Sequence, residues 1–166
     1  MSVESVQVKN DMVANMNTII LSTIDNNGNP NSSYAPCLVD DDVNLYIYIS
    51  KLSKHTQNLL DNNRVSAMII EDESKSENLF ARNRFTMTCN ASLVNRDSEE
   101  WNTKIDDMEK KFGESIKFLR TLTDFCMFRL EPESGLLVYG FGKAFRFKGQ
   151  KLEESDHIND VGHTTK

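Results

Sequence analysis

The chain has 166 residues, of which 39% are hydrophobic and 27% charged, values that fit one globular domain. Its 19 basic and 25 acidic side chains give a net charge of -6, which disfavours nucleic acid as the main partner. The longest apolar runs, residues 45–49 and 136–139, are much shorter than the ~20 residues that cross a bilayer, and the N-terminus lacks the basic-then-apolar pattern of a secretion signal. We therefore expect a cytoplasmic protein that binds neither nucleic acid nor a membrane.

The first part of the chain predicts a helix, several short strands and a second helix. Val6, Val13 and Met16 among polar residues are compatible with a helix of modest amphipathicity. The Asn27-Gly28 pair favours a hairpin turn, since glycine supplies the positive φ that such turns need. In chain order, we predict a helix over 5–18, strands over 19–24, 32–39 and 45–49, a helix from Ser53 to about Asn62, and a strand over 65–70.

The rest of the chain predicts strands on either side of a helical region. Residues 85–94 alternate between apolar and polar side chains, which is typical of a strand with one buried face. A helix should begin at Asp97 or Ser98, because apolar residues recur at helical spacing from Trp101 until Gly113 interrupts them. Further strands are predicted over 125–130, 135–139 and 144–147. Residues 148–166 are polar and show neither period, so we expect a mobile tail.

This order of elements favours an α+β fold, a small antiparallel β-barrel with flanking helices. Many short strands are present, but not the strict β-α-β alternation that a parallel sheet requires. We divide the chain into a barrel domain, 1–147, and a C-terminal tail, 148–166. Cys37, Cys89 and Cys126 are odd in number and far apart, so we expect buried thiols instead of a disulfide framework or a zinc site.

Two cationic clusters are candidates for anion binding. The first joins a strand end to a helix start and contains Ser50, Ser53, Lys54 and His55. Free N–H groups and the helix dipole favour anions there, although an ordinary helix start with solvated lysines is the alternative. Arg82 and Arg84 precede the strand over 85–94, where they either close over the same phosphate or carboxylate or are simply solvated loop arginines.

The histidines, taken alone, do not predict a metal site. His157 and His163 are six residues apart, a spacing that fits neither one helix face nor a standard zinc pair. The sequence also lacks the common nucleophile, zinc-protease and P-loop motifs. On spacing alone, the simpler interpretation is that His163 is a tail histidine without a ligand role.

Several segments taken together resemble the flavin-binding split barrel of pyridoxamine-phosphate-oxidase-like proteins. They are the strand 19–25, the Asn-Gly-Asn-Pro turn, Ser33-Tyr34-Ala35-Pro36, the helix start Ser-x-x-x-Lys-His-x-x-Asn-Leu at 50–59, and the run 64–72. Three further segments resemble the haem-utilisation branch of that superfamily, the HugZ and HutZ type. They are Leu79-Phe80-Ala81-Arg82-x-Arg84, Asp124-Phe125-x-x-Phe128-Arg129-Leu130-x-Pro132-Glu133 and Gly140-Phe141-Gly142-x-Ala144.

The resemblance implies a split-barrel homodimer that binds haem at the subunit interface. Such proteins degrade haem with oxygen and an electron donor, which serves iron acquisition. The resemblance implies His163, in a Gly-His pair, as the axial ligand of the haem iron. It also implies Asp124 as the residue that hydrogen-bonds the ligand histidine from the other chain.

The cofactor-binding residues implied by the resemblance are those of the two cationic clusters. Haem propionates require cations, and the candidates are Lys54, His55, Arg82 and Arg84, with Ser50 and Ser53 in the same set. These positions hold the flavin phosphate in flavin-binding relatives. The alternatives are therefore an FMN-dependent oxidase or reductase and a non-catalytic haem carrier.

Overall fold

A curled antiparallel sheet forms most of the molecule, and helices lie against it. The computed structural model describes residues 2–158, which contain four helices and nine strands. The helices are α1 (Val3–Ala14), α2 (Lys54–Asp61), α3 (Glu99–Phe112) and α4 (Glu114–Leu119). The strands are β1 (Thr18–Ile24), β2 (Pro30–Pro36), β3 (Leu38–Val39), β4 (Leu45–Ser50), β5 (Arg64–Ile70), β6 (Arg84–Val94), β7 (Phe125–Val138), β8 (Ala144–Lys148) and β9 (Glu154–His157). The predicted α+β class, an antiparallel barrel-like sheet with flanking helices, is confirmed.

The sheet is built from neighbouring antiparallel pairs. Its strand order is β2-β1-β5-β6-β7-β4-β3, and β8 and β9 continue from β7. Strand β2 also contacts β4, so the sheet curls back toward its other side. Gly28 has a φ of 80° in the β1–β2 turn, as the Asn-Gly pair predicted.

Two hydrophobic cores lie on opposite faces of the sheet. The larger fills the curl and includes Leu45 and Ile47 of β4. The smaller packs α3 and α4 against the outside and includes Tyr46, Tyr48 and Trp101. Because successive residues of β4 point into different cores, both of its faces are buried, which explains its continuous apolar sequence.

Strand β7 is one strand of 14 residues where the sequence predicted two. Its first half pairs with β4, its second half pairs with β8, and β6 follows it on the other edge. Pro132 lies in the stretch 131–134, where β7 pairs with neither β4 nor β8. On that edge the N–H that proline lacks is not needed as a hydrogen-bond donor to a neighbouring strand. The predicted break is instead a bulge, where the register against β6 shifts between Thr88 and Cys89.

The segment after β8 contains regular structure that the sequence did not predict. A short 3-10 turn (Gln150–Leu152) leads into β9, which pairs with β8. Ser5 and Lys9 of α1 contact this segment through Ser155 and the carbonyls of residues 151 and 152. The β8–β9 pairs join residues only 6 to 12 positions apart, whereas the contacts with α1 join residues 142 to 150 positions apart. The polar sequence carries no local signal of either.

The three cysteines are free and buried, as predicted. Burial raises the pKa of Cys37 and of Cys89 to about 12, so both thiols stay protonated at neutral pH. These cysteines therefore serve as small apolar side chains.

Among residues 2–158, none of the helices has the length and apolar character needed to cross a lipid bilayer.

Candidate functional site

Asp124 lies beside the turn that joins β4 to α2. Ser50, the last residue of β4, is opposite Phe125, the first residue of β7. The Ser50 Oγ donates to Oδ2 of Asp124 at 2.9 Å, and the Lys51 N–H donates to the Asp124 carbonyl at 2.7 Å. The strand register thus brings together two predicted site residues, Ser50 and Asp124, from opposite parts of the chain.

The N-terminus of α2 has hydrogen-bonding groups that remain unused. Ser53 is its N-cap residue, as predicted, but its side chain makes no capping hydrogen bond. Thr56 is 0% exposed, and its Oγ1 has no hydrogen-bond partner among the residues that the structure describes. Buried polar groups are nearly always paired, and the free N–H groups of a first helical turn attract anions. This helix start therefore has capacity for a phosphate or carboxylate, and Thr56 is a candidate that sequence reasoning missed.

Lys54 and His55 share this helix start but differ in environment. The Lys54 side chain is 58% exposed, and its Nζ lies 3.5 Å from Oδ2 of Asp25. His55 is half-buried, with Nδ1 2.8 Å from the Ser33 hydroxyl. Burial lowers the pKa of His55 below its usual value, so the ring is neutral at pH 7. His55 therefore offers a hydrogen bond at neutral pH and not the positive charge that the sequence predicted, while Lys54 is an exposed cation.

The second cationic cluster is held by its own loop. Arg82 donates from Nε to the Glu71 carbonyl at 2.7 Å, and its Nη1 lies 3.8 Å from Oε2 of Glu73. Arg84 donates to the Arg82 carbonyl at 3.0 Å. These bonds fix the loop backbone, so both guanidinium groups are partly preorganised.

Each cationic cluster adjoins a strongly exposed apolar side chain. Leu52 in the β4–α2 turn and Phe80 in the loop before β6 are both 90% exposed. Large apolar side chains so exposed are informative when they lie beside polar groups suited to a ligand. Both clusters thus combine apolar surface with positive charge.

Within one chain, the two clusters lie at opposite ends of β7. Ser50 pairs with Phe125, the first residue of that strand, whereas Arg84 pairs with Val138, its last residue. A strand rises about 3.3 Å per residue, so roughly 40 Å of β7 lies between the two pairings. Across the sheet the path is shorter, because Ser33, which contacts His55, lies three strands from Met87 of β6, and Met87 is three residues from Arg84. The described hydrogen bonds and ion pairs of the arginines include no residue from the α2 start. Within the described part of one chain, Arg82 and Arg84 therefore form no hydrogen bond or ion pair with the first cluster.

The predicted iron ligand, His163, lies outside the described residues. His157, which ends β9, has Nε2 2.8 Å from the Gly142 carbonyl, and its ring packs 4.7 Å from that of Phe145. His157 therefore has a local structural partner.

Comparisons with known proteins give consistent results. The family model for pyridoxamine 5'-phosphate oxidase matches residues 8–139. The chain is 45% identical over 146 residues to the protein named heme oxygenase HutZ from Vibrio cholerae serotype O1, which covers 88% of this chain and 82% of that protein.

Two crystal structures agree in fold over most of the chain. The first, HutZ of Vibrio cholerae described as a heme storage protein, is 39% identical with a TM-score of 0.78 and covers 85% of this chain and 99% of that one. The second, ChuZ of Campylobacter jejuni, is 32% identical with a TM-score of 0.87 and covers 100% of this chain and 67% of that one. The split-barrel fold predicted from the resemblance is thus confirmed, and the chain belongs to the pyridoxamine 5'-phosphate oxidase family and to its HutZ-type branch.

Proposed function

We propose that this chain forms a cytoplasmic homodimer that binds haem and supports its breakdown by oxygen in the presence of an electron donor, for iron acquisition. The observation that carries the proposal is the meeting of unlike groups at one end of the sheet. The Asp124 carboxylate lies beside a helix start with a cation, unused hydroxyls and an exposed leucine. This mixture suits a ligand that has an apolar ring and anionic side groups.

Haem has both kinds of surface, a flat apolar macrocycle and two carboxylates. Leu52 and Phe80 supply exposed apolar area for the ring. Lys54, Arg82 and Arg84 supply charge-assisted hydrogen bonds for the propionates. The donor set therefore fits haem, and the names heme oxygenase and heme storage protein carried by the HutZ relatives support the same ligand.

A second copy of the chain completes the site in this proposal. The two cationic clusters of one chain lie at opposite ends of β7, and we propose that each ligand is held by one cluster from each subunit. A sedimentation experiment at micromolar concentration should find a dimer. A stable monomer would contradict the composite site.

We assign the axial ligand to His163 and the carboxylate that hydrogen-bonds its other ring nitrogen to Asp124 of the partner subunit. A carboxylate in that position fixes the imidazole tautomer and increases its donor strength. Bound haem supplies the iron and oxygen chemistry. The residues of the chain bind the propionates and orient the ring, and the Asp124 carboxylate accepts the hydrogen bond from the N–H of the ligand imidazole.

FMN remains the second candidate because the hydroxyls of Ser53 and Thr56 at the helix start also suit a phosphate. Titrating purified protein with haem and with FMN separates the two. We expect a Soret band with haem, a changed band in His163→Ala, and the parental band in the control His157→Ala. A tight yellow FMN complex without haem binding would overturn the proposal, and an unchanged band in His163→Ala would overturn the ligand assignment.

An enzyme and a carrier differ in the fate of the bound haem. Adding ascorbate under oxygen to the haem complex should bleach the Soret band and release iron. A band that persists under these conditions would leave a haem carrier and contradict the proposed breakdown.

A further inference from the structure

We infer that Ser50 is a positioning residue, whose hydroxyl orients the Asp124 carboxylate toward the haem-ligating imidazole. This inference rests on the proposed function. The sequence placed Ser50 among the residues that bind the cofactor, but its described contacts point to the carboxylate. Its Oγ lies 2.9 Å from Oδ2 of Asp124 and 3.1 Å from the Leu52 nitrogen.

The direction of these two bonds is fixed by chemistry. The Leu52 N–H can only donate, so the Ser50 oxygen accepts from it. An ionised carboxylate can only accept, so the single Ser50 proton goes to Asp124. The Ser50 hydroxyl therefore has one orientation that satisfies both neighbours, and in that orientation it donates to the Asp124 carboxylate in the absence of a ligand.

The backbone holds Asp124 in the same place from a second side. The Lys51 N–H donates to the Asp124 carbonyl at 2.7 Å, and the Ser50–Phe125 pairing anchors both segments in the sheet. Among residues 2–158, Ser50 supplies the hydrogen bond that the Asp124 side chain accepts, on Oδ2. In the same part of the chain Oδ1 accepts no hydrogen bond, and it is the oxygen that we assign to the imidazole N–H.

The same turn also carries the proposed propionate ligands. Residues 50–55 run without interruption from the carboxylate partner to Lys54 and His55. Partners outside the first ligand shell set imidazole orientation and basicity, and they affect metal sites measurably when removed. Loss of the Ser50 hydroxyl should therefore alter the axial bond without removing it.

Resonance Raman spectroscopy of the ferrous haem complex tests this, because the iron–histidine stretching frequency reports the strength of the axial bond. We expect Asp124→Asn to lower the frequency and Ser50→Ala to lower it by a smaller amount. Ser50→Thr, which keeps the hydroxyl, should restore the parental value. Thr121→Ala is the matched control, since that hydroxyl lies three residues before Asp124 and bonds only locally, to the Phe118 carbonyl.

The outcomes separate the inference from the proposed function. A parental frequency in Ser50→Ala with a lowered frequency in Asp124→Asn would show that Ser50 does not position the carboxylate. A parental Soret band in His163→Ala would instead overturn the ligand assignment itself. If circular dichroism shows that Ser50→Ala does not fold, Ser50→Cys, a weaker donor, should give an intermediate frequency, and a parental value there would contradict the inference.

Discussion

Two lysines each tie distant segments together, but they do so in different environments. Lys9 of α1 donates to the carbonyls of Lys151 and Leu152 at 3.3 and 3.1 Å. Lys111, in the last turn of α3, donates to the carbonyls of Met16 and Cys37 at 2.7 and 3.0 Å. Lys9 is 2% exposed, whereas Lys111 is exposed. Among residues 2–158, each lysine donates to two backbone carbonyls, and the bonds of Lys111 are the shorter ones, so the main difference that could favour Lys9 is its burial.

The comparison indicates that the burial of a lysine, more than the number of its hydrogen bonds, determines how much these bonds contribute to the free energy of unfolding. If an exposed donor is removed, water can reach the carbonyls that it leaves. If a buried donor is removed, the carbonyls remain unpaired in an apolar setting, and each such group costs about 1–3 kcal/mol. Lys9 therefore holds the segment that leads toward His163 much more strongly than Lys111 holds its own partners.

The largest effect is expected from Lys9→Met. The thioether fills similar volume but donates nothing to the two carbonyls, although it also removes the cost of burying an ammonium. We expect the free energy of unfolding to fall by about 2 kcal/mol, measured by urea denaturation. Lys111→Met serves as the matched variant, and an equal loss in both would show that burial does not decide the outcome.

The pH dependence of stability distinguishes the buried ammonium from a neutral side chain. Burial lowers the pKa of Lys9 below 10.5, the value of a free lysine. Between the lowered pKa and 10.5 the unfolded chain binds more protons at this site than the folded chain does, so the free energy of unfolding rises with pH across that interval. Below this interval Lys9 is protonated in both the folded and the unfolded chain, and above it Lys9 is protonated in neither. Outside the interval Lys9 therefore adds no pH dependence to the free energy of unfolding.

Urea denaturation at a series of alkaline pH values should therefore show that the free energy of unfolding of the parent, relative to that of Lys9→Met, rises with pH. Burial also lowers the pKa of Lys111, but that contribution is present in both proteins and cancels in the difference. Parallel curves for parent and variant would contradict a buried Lys9 ammonium.

A smaller effect is expected at the turn that Lys9 holds. Lys151 has a φ of 57° and a ψ of 15°, in the left-handed region that glycine tolerates and other residues rarely adopt. Lys151→Gly should raise the free energy of unfolding by about 1 kcal/mol, since the ion pair that it loses with Asp42 is solvent-exposed. Urea denaturation is the measurement, and a loss of stability would show that the turn is not strained.

Local patterns in the sequence predicted much of the fold. The helical spacing from Trp101, the alternation over 85–94 and the Asn27-Gly28 turn each depend on neighbours within a few residues, and all three features are present. Strand β9 pairs with the preceding strand β8, but it was missed because its sequence is polar and because its contacts with α1 join distant parts of the chain.

The sequence could predict which residues form the candidate site, but not how these residues are arranged. The sequence singled out Ser50 and Asp124 separately, but their hydrogen bond follows from the β4–β7 register. The neutral state of His55 follows from its burial, and the placement of the two cationic clusters follows from the strand pairings. Tertiary pairing decides each of these features, and the residue pattern does not encode it locally.

The smallest effect is expected from Lys111→Met. Met16 and Cys37 are buried residues, but the lysine that bonds to their carbonyls is exposed. We therefore expect water to replace the ammonium at these carbonyls, and the free energy of unfolding should fall by only about 0.5 kcal/mol. Lys110→Met is the control on the same helical turn, because within the described residues Lys110 pairs along the helix, with Asp107 at 2.9 Å. Urea denaturation of both variants should give nearly equal values. A loss in Lys111→Met close to that in Lys9→Met would mean that water does not reach its two carbonyls, and that exposure of the lysine side chain does not set the contribution of these hydrogen bonds.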